Sequence, residues 1–420
     1  MTAAGPPPVS CAAPEATHVL TVDEARQRIL NLLPPLTERE TVGLYDSLGR
    51  ITAHAVRAPR DVPPFDNSAM DGYALRGADI PAEGQRELRI VGTVLAGKPY
   101  DRLVDAGACV RIMTGGVLPE GTDSVIMQED VIRLDDIAVV GAGHKTGNHV
   151  RHAGEDIAQH DLVISAGKRL GPADLGVLAS LGFTHCEVVR RPRVAYFSTG
   201  DELRPVGEPL STGCLYDSSR YTLYGLLHQL GVMPIDLGIV PDQRQALRDT
   251  LLRAAAEADV IISTGGVSVG EADFVRDTLG AVGEIHFWRV GMKPGRPFAF
   301  GRIEQAWFFG LPGNPVSTMV TFLQFVQPAL RHLMGEQRAH GHRLRVPCIT
   351  TLKKAPGRME FQRGILESTA DGHAVVRSTG AQGSAILSSM SKANCFIVLP
   401  AECGDLPAGS LVEIQVFTLL

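Results

Sequence analysis

Arg193-Val-Ala-Tyr-Phe-Ser-Thr-Gly-Asp-Glu-Leu203 is an apolar run that stops in a Gly-containing loop with two carboxylates, and the residues after it decide the fold. The run at 194–198 reads as a strand. Over 218–230, Leu223, Leu226, Leu227 and Leu230 share one helical face, and Gly231 supplies the stop. A second strand over 234–240 and a second helix over 243–258 follow, the latter facing Leu247, Leu251 and Ala254 inward. Strands at 260–263 and 306–311 and a long apolar helix over 316–334 complete the series. Repeated strand–helix units predict a parallel sheet with right-handed crossovers, that is, a doubly wound α/β domain.

Outward from this block the patterns change. Thr21-Val-Asp-Glu24 is a capping-box signal opening a helix over 21–33, which Pro34-Pro35 end. From 90 to 163 short β-branched runs, such as 138–140 and 162–164, are broken every few residues by Gly, Pro or Asp and predict a β-rich domain. A short helix over 173–181, closed by Gly182, leads to the polar Arg190-Arg-Pro-Arg193 boundary. Beyond Gly335, strands are predicted over 345–352, 360–366, 374–377, 395–399 and 411–416. The expected organisation is a disordered tail (1–18), a linker domain (19–58 with 165–191), a β-rich inserted domain (59–164), the α/β domain (192–334) and a C-terminal β domain (335–420).

A chain of 420 residues is too long for one core, and 45 Gly with 27 Pro call for many tight turns. The net charge of -6 gives no overall basic field, so nucleic acid is not an expected partner and any anion must be held by a local cluster. The seven Cys lack any C-x-x-C pairing, as expected of thiols in a reducing cytoplasm. The first residues lack the basic start and apolar run of a signal peptide, and no apolar run approaches bilayer length, so no membrane is expected.

In open parallel sheets the ligand sits beyond the carboxyl ends of the strands. Three loops stand there: Ser198-Thr-Gly-Asp-Glu202, Val240-Pro-Asp242 and Ser263-Thr-Gly-Gly-Val-Ser-Val-Gly-Glu-Ala-Asp273. Gly265 and Gly266 let backbone N–H groups approach an anion; Ser263, Thr264 and Ser268 add hydroxyls; Asp273 could hold a divalent cation against phosphate oxygens. Any one such loop could equally be a turn. Lys293-Pro-Gly-Arg296 either clamps an oxyanion or is a solvated turn. In Leu311-Pro-Gly-Asn-Pro315, Pro312 and Pro315 fix one loop shape and open the following helix. Asp71, in Phe65-Asp-Asn-Ser-Ala-Met-Asp71-Gly-Tyr73, is either functional or the cap of a turn, and the arginines of Arg111-Ile-Met-Thr114 and Val150-Arg151-His could be no more than ion-pair partners. Neither G-x-x-x-x-G-K-[ST], H-E-x-x-H nor G-x-S-x-G occurs, which disfavours P-loop kinases, zincins and serine hydrolases.

Taken together, Phe65–Tyr73, Arg111-Ile-Met-Thr-Gly115, Ser198-Thr-Gly-Asp-Glu-Leu203, Gly265–Asp273, Lys293-Pro-Gly295 and Gly310-Leu-Pro-Gly-Asn-Pro-Val316 resemble the molybdopterin molybdenumtransferase family of MoeA type, related to the E domain of gephyrin. The resemblance covers nearly the whole chain after Val19. It implies a transferase of molybdenum cofactor biosynthesis that inserts molybdenum from molybdate into adenylylated molybdopterin, with Mg²⁺-dependent cleavage of the pyrophosphate and release of AMP. It further implies an elongated cytoplasmic homodimer with a linker and dimerisation domain, a C-terminal β-barrel-like domain, and possible contacts with the molybdopterin adenylyltransferase and acceptor molybdoenzymes. By position, Asp71, Glu202, Asp242 and Asp273 match the family's functional carboxylates, the last three as metal ligands. Thr114 and Arg151 match polar residues facing the partner subunit's cleft; Lys293, Arg363 and Ser384 match groups for molybdate. Ser198, Thr199, Gly200, Gly265, Gly266, Ser268, Arg296, Pro312 and Pro315 would line the substrate. Arg289 and Arg296 stand where Lys is usual, and His152 interrupts an arginine pair. Two other readings remain, a molybdopterin adenylyltransferase and a non-catalytic scaffold of the same fold.

Overall fold

The computed structural model describes residues 19–265, 278–337 and 343–417. Two compact units form, one from Met1–Glu38 with Val189–Leu420 and the other from Arg39–Val188. The first unit contains a six-stranded sheet in the order Met233–Val240, Arg193–Thr199, Val260–Thr264, Ala306–Leu311, Pro297–Ile303, Gly283–Arg289. The first four strands are mutually parallel, as expected. Of the last two, Pro297–Ile303 runs antiparallel to both its neighbours, which leaves Gly283–Arg289 in the same direction as the first four. Only Glu304 and Gln305 separate Ile303 from its register partner Ala306, and Glu304 takes a positive φ of 50°. So short a connection makes a hairpin and cannot make a crossover.

Val260, Ile261 and Ile262 are fully buried because both faces of the sheet are covered. On one face the helix Arg244–Glu257 lays Leu247, Leu251 and Ala254 against Ala195, Phe197, Ile261 and Phe308. Each buried leucine there contributes about 1.5–3 kcal/mol of transfer free energy. The helix Ser218–Leu230 begins where the Asp217 side chain accepts from the Arg220 N–H, and ends at Gly231 with φ 74°.

The single long helix expected over 316–334 is in fact three pieces: α-helix Pro315–Thr321, a π-helical stretch Phe322–Val326 and α-helix Gln327–Leu333. Pro328 explains the break. It has no N–H to donate to the Gln324 carbonyl one turn back. That carbonyl accepts instead from Arg26 Nε at 3.2 Å, while Arg26 Nη2 donates to Gln324 Oε1 at 2.9 Å. Arg26 belongs to the helix Val22–Leu32, whose Thr21/Glu24 capping box is formed.

The C-terminal strands make a sheet in the order Met292–Lys293, Met359–Ser368, Cys395–Leu399, Leu411–Val416, Arg343–Pro347, with Ala374–Ser378 pairing back onto Met359–Ser368. The expected strand over 345–352 ends at Pro347, because Cys348 changes partner and bridges to Val376. That switch closes the sheet into a small barrel around Cys348, Val376, Cys395, Ile397, Val412 and Ile414. A helix at Leu387–Lys392, which shows no clear periodicity in the sequence, lies between two of its strands.

The second unit is β-rich. Its six-stranded sheet runs Ser124–Met127, Gly72–Leu75, Ala108–Ile112, Gln85–Val94, Ile137–Gly141, Val131–Leu134. Alternate residues of Gly72–Leu75 enter two separate cores: Tyr73 and Leu75 pack with Cys109 and Ile126, Ala74 with Val110, Ile112 and Val125. The same unit holds the helix Pro172–Ser180, whose Leu178 packs with Ile164, Leu170, Cys186 and Val188.

Candidate functional site

At the carboxyl edge of the parallel strands the backbone itself is crowded. Gly265 has φ 92°, and a β-carbon there would overlap the Thr199 carbonyl oxygen. A β-carbon on Gly313 would in turn touch the Gly265 Cα at 3.4 Å. The ends of three adjacent strands thus lie main chain to main chain, and at Gly265 only glycine permits it. The loops are tied together by hydroxyls. Thr199 Oγ1 donates to Asp242 Oδ1, the Asp242 N–H donates to Asp201 Oδ1 at 3.3 Å, and Thr264 Oγ1 donates to the Pro312 carbonyl at 3.2 Å. Thr318 Oγ1 also donates to that carbonyl at 2.6 Å, and Ser219 Oγ donates to the Gly313 carbonyl at 3.2 Å. Ser198 is fully buried and its Oγ has no hydrogen-bond partner among the described residues. Asp201, Glu202 and Asp242 are exposed. The Glu202 carboxylate folds back over Gly200, where a β-carbon would lie 2.6 Å from Oε2. Gly266, Ser268 and Asp273 lie outside the described residues. Among those described, no three His, Cys, Asp or Glu side chains gather closely enough to hold a metal ion.

The barrel reaches this edge through Ser384: Asn314 Nδ2 donates to Ser384 Oγ at 3.2 Å and the Val316 N–H to the Ser384 carbonyl at 3.1 Å. Arg363 is 1% exposed, with Nε on Ser389 Oγ at 3.0 Å and Nη2 on the Gly383 carbonyl at 3.1 Å. Burial brings its pKa down to about 10, against the supporting charge of Glu360. Gln382 grips the same residue by its backbone, accepting from the Arg363 N–H at 2.8 Å and donating to its carbonyl at 3.1 Å. Lys293 lies across the strand from Glu360 and pairs with it, Nζ to Oε1 3.1 Å. Glu360 and Arg363 are three positions apart on one strand, so Lys293 and Arg363 leave the ladder on opposite faces. Arg296 is exposed. Gly295, after the cis Lys293–Pro294 bond, packs against the helix at Thr321, where a β-carbon would lie 2.6 Å from Cγ2.

In the second unit Asp71 Oδ1 accepts from the Thr114 N–H at 2.7 Å and from Thr114 Oγ1 at 2.8 Å. These two bonds, the backbone one first, hold the Asp71 carboxyl below its ordinary range. Asp71 is therefore a turn cap and an exposed acceptor at once. Arg151 is exposed and pairs in register with Asn67 across a short antiparallel ladder. It forms no ion pair among the described residues. The neighbouring His152 has its Nδ1 at hydrogen-bond distance, 3.2 Å, from Asp66 Oδ2. Sequence reasoning missed Asp201, Glu360 and Gln382. The signal for the last two was present, since they flank Arg363 and Ser384, but the pattern assigned them no partner.

A cavity of about 550 Å³ lined by Glu38, Arg190, Asp259, His286, Arg302 and Trp307 lies at the amino ends of the strands. The loops just described are at the other end of the sheet, so the cavity plays no part in their site.

A doubly wound sheet whose strand-end loops are built from Gly, hydroxyl and carboxylate residues, with a barrel against one of those loops, defines an α/β protein with a candidate ligand site at the sheet edge. Comparison with known proteins makes this specific. Residues 20–182 match the MoeA N-terminal region (domain I and II), 195–332 the probable molybdopterin binding domain, and 345–417 the MoeA C-terminal region (domain IV). A molybdopterin molybdenumtransferase of Haemophilus influenzae is 43% identical over 404 residues, covering 96% of this chain and 100% of that protein. Gephyrin of Dictyostelium discoideum is 34% identical over 94% of this chain and 62% of its own length. The crystal structure of a molybdopterin biosynthesis moeA protein from Pyrococcus horikoshii superposes with a TM-score of 0.83 at 29% identity, covering 95% of this chain and all of that one. The chain belongs to the MoeA family of molybdopterin molybdenumtransferases.

Proposed function

We propose that this enzyme transfers molybdenum from molybdate to molybdopterin in molybdenum cofactor biosynthesis, taking adenylylated molybdopterin as substrate and releasing AMP. The observation that carries the reading is the glycine-floored edge where Thr199, Gly265 and Gly313 meet, with Asp242 held beside it by Thr199. The Gly265 N–H is taken by the Leu311 carbonyl at 3.2 Å, so what the glycines give a pyrophosphate is room to lie close against the main chain at this edge. Asp201, Glu202 and Asp242 are the oxygen donors a hard cation takes, and Mg²⁺ is usually held by one or two carboxylates together with waters and substrate phosphates. The donor set therefore fits Mg²⁺ in kind, with Asp242, Asp273 and Glu202 as the candidate ligands. The bound ion would neutralise pyrophosphate oxygens.

The chain's own residues supply the rest. Thr199 orients the Asp242 carboxylate, and Pro312 and Pro315 keep the loop that Ser384 touches in one shape. Lys293, half-exposed, is the counter-charge for molybdate, a tetrahedral dianion, while Arg363, buried on the other face of the ladder, positions the Ser384 loop through the Gly383 carbonyl. In this proposal the enzyme works as a homodimer in which Asp71, Thr114 and Arg151 of one copy complete the site of the other. No helix among the described residues is long and apolar enough to cross a membrane. The six described cysteines are free thiols, which supports a cytoplasmic setting. Incubation with adenylylated molybdopterin, molybdate and MgCl₂ should release AMP and yield cofactor that activates an apo-molybdoenzyme. If the protein instead attached AMP to molybdopterin from ATP, the assignment would be wrong.

A further inference from the structure

Glu360 has no assigned role, yet it is the partner of Lys293. It lies on the strand Met359–Ser368 with its side chain 6% exposed, whereas that of Lys293 is 48% exposed. The pairing is set by backbone: Met292 and Lys293 align with Met359 and Glu360, and the Met359 N–H donates to the Gly291 carbonyl at 3.1 Å. From the other side Gln362 Nε2 donates to Glu360 Oε1 at 3.3 Å and to the Lys353 carbonyl at 2.9 Å, so the carboxylate is held in place. A buried carboxylate is costly without a cation, and Lys293 is the one that forms an ion pair with it here. The ammonium has three N–H donors. Glu360 takes one, and the half-exposed side chain leaves the others available.

We propose that Glu360 is the built-in counter-charge and positioning residue of the oxyanion site, holding Lys293 Nζ in place while lowering the net positive charge that an incoming oxyanion meets. This rests on the reading of Lys293 as a molybdate contact. The consequence is a site kept deliberately weak for anions. A tetrahedral dianion must share Lys293 with Glu360, and once molybdenum has moved to the pterin the carboxylate recovers the ammonium. Abundant phosphate and sulfate are disfavoured by the same opposing charge.

The test is the KM for molybdate in Glu360→Gln. The amide oxygen still accepts from Nζ, so the lysine stays placed, but the opposing charge is gone. The KM should fall about tenfold, and inhibition by inorganic phosphate should strengthen by a similar factor. A gain in anion affinity is not what a merely damaged fold produces. If Glu360→Gln does not fold, Glu360→Asp, which retracts the carboxylate, should lower the KM by a smaller factor. Lys293→Met separates the two layers of the argument. If it leaves the molybdate KM unchanged, Lys293 does not meet the oxyanion and the underlying site reading fails. If it raises the KM while Glu360→Gln does nothing or raises it too, only the counter-charge is overturned.

Discussion

At Gly265 two constraints coincide: a φ of 92°, which L-residues rarely adopt, and a carbonyl oxygen, that of Thr199, in the space a β-carbon needs. Gly265→Ala should therefore cost about 1–3 kcal/mol of stability, seen as a lower denaturation midpoint. It should also push apart the two strand ends beside Asp242, and a displacement near 1 Å at a reacting centre costs on the order of a hundredfold in rate. A variant with wild-type kcat/KM would remove the glycine floor from the site. Asp71 offers a second test by pH. Its folded-state pKa lies below the ordinary value, so the interaction contributes stability above the ordinary carboxylate range and loses it as pH falls through the depressed pKa. Thr114→Val removes the hydroxyl donor and keeps the stronger backbone one. The Asp71 titration, followed by NMR, should move up part of the way, and no movement would mean that the hydroxyl contact is incidental. Much of the candidate site was legible residue by residue because Gly, Ser, Thr and Asp at strand ends announce themselves. The partners of Lys293 and Arg363 were not, since Glu360, Ser389 and the Gly383 carbonyl are distant or neutral in the one-dimensional pattern and are brought near by strand register.

At the scale of elements, periodicity located the units with regular faces. Ser218–Leu230 and Ala306–Leu311 run as their apolar spacing predicts, because Asp217, Gly231 and the short Glu304–Gln305 turn bound them locally. Where the reading failed, the reason was tertiary. The helix after Pro315 is largely apolar, and nothing in its periodicity marks the π-helical stretch. Pro328 alone hinted at it, and the compensating donor, Arg26, is 298 residues away. Likewise Pro347 ends a strand because Cys348 finds Val376 across the barrel. The Arg26 contact yields a clean measurement. Arg26→Ala leaves the Gln324 carbonyl and side chain, 1% exposed, without these donors. An unmet buried acceptor costs about 1–3 kcal/mol. A lowered melting temperature with unchanged molybdate KM is expected, whereas an unchanged melting temperature would show that water or another group replaces the arginine at no cost.

For the whole molecule, the proposal places the two halves of one catalytic centre on different copies of the chain: Asp242 with the strand-end loops on one, Asp71 with Thr114 on the other. That arrangement makes a prediction that a single-chain site cannot meet. Asp71→Ala and Asp242→Ala should each be inactive as homodimers, since every site lacks one of the two carboxylates. In a heterodimer of the two variants, one site collects both defects and the other collects none. Mixing the unfolded chains in equal amounts and refolding them together pairs copies at random. Half the dimers are then mixed, each with one intact site, so about a quarter of wild-type activity should return for a twofold-symmetric dimer. The readout is AMP released from adenylylated molybdopterin per mole of chain, with each variant refolded on its own as the control. Activity no higher than the controls, in a mixture shown to contain heterodimers, would put both carboxylates to work within one chain and overturn the shared site.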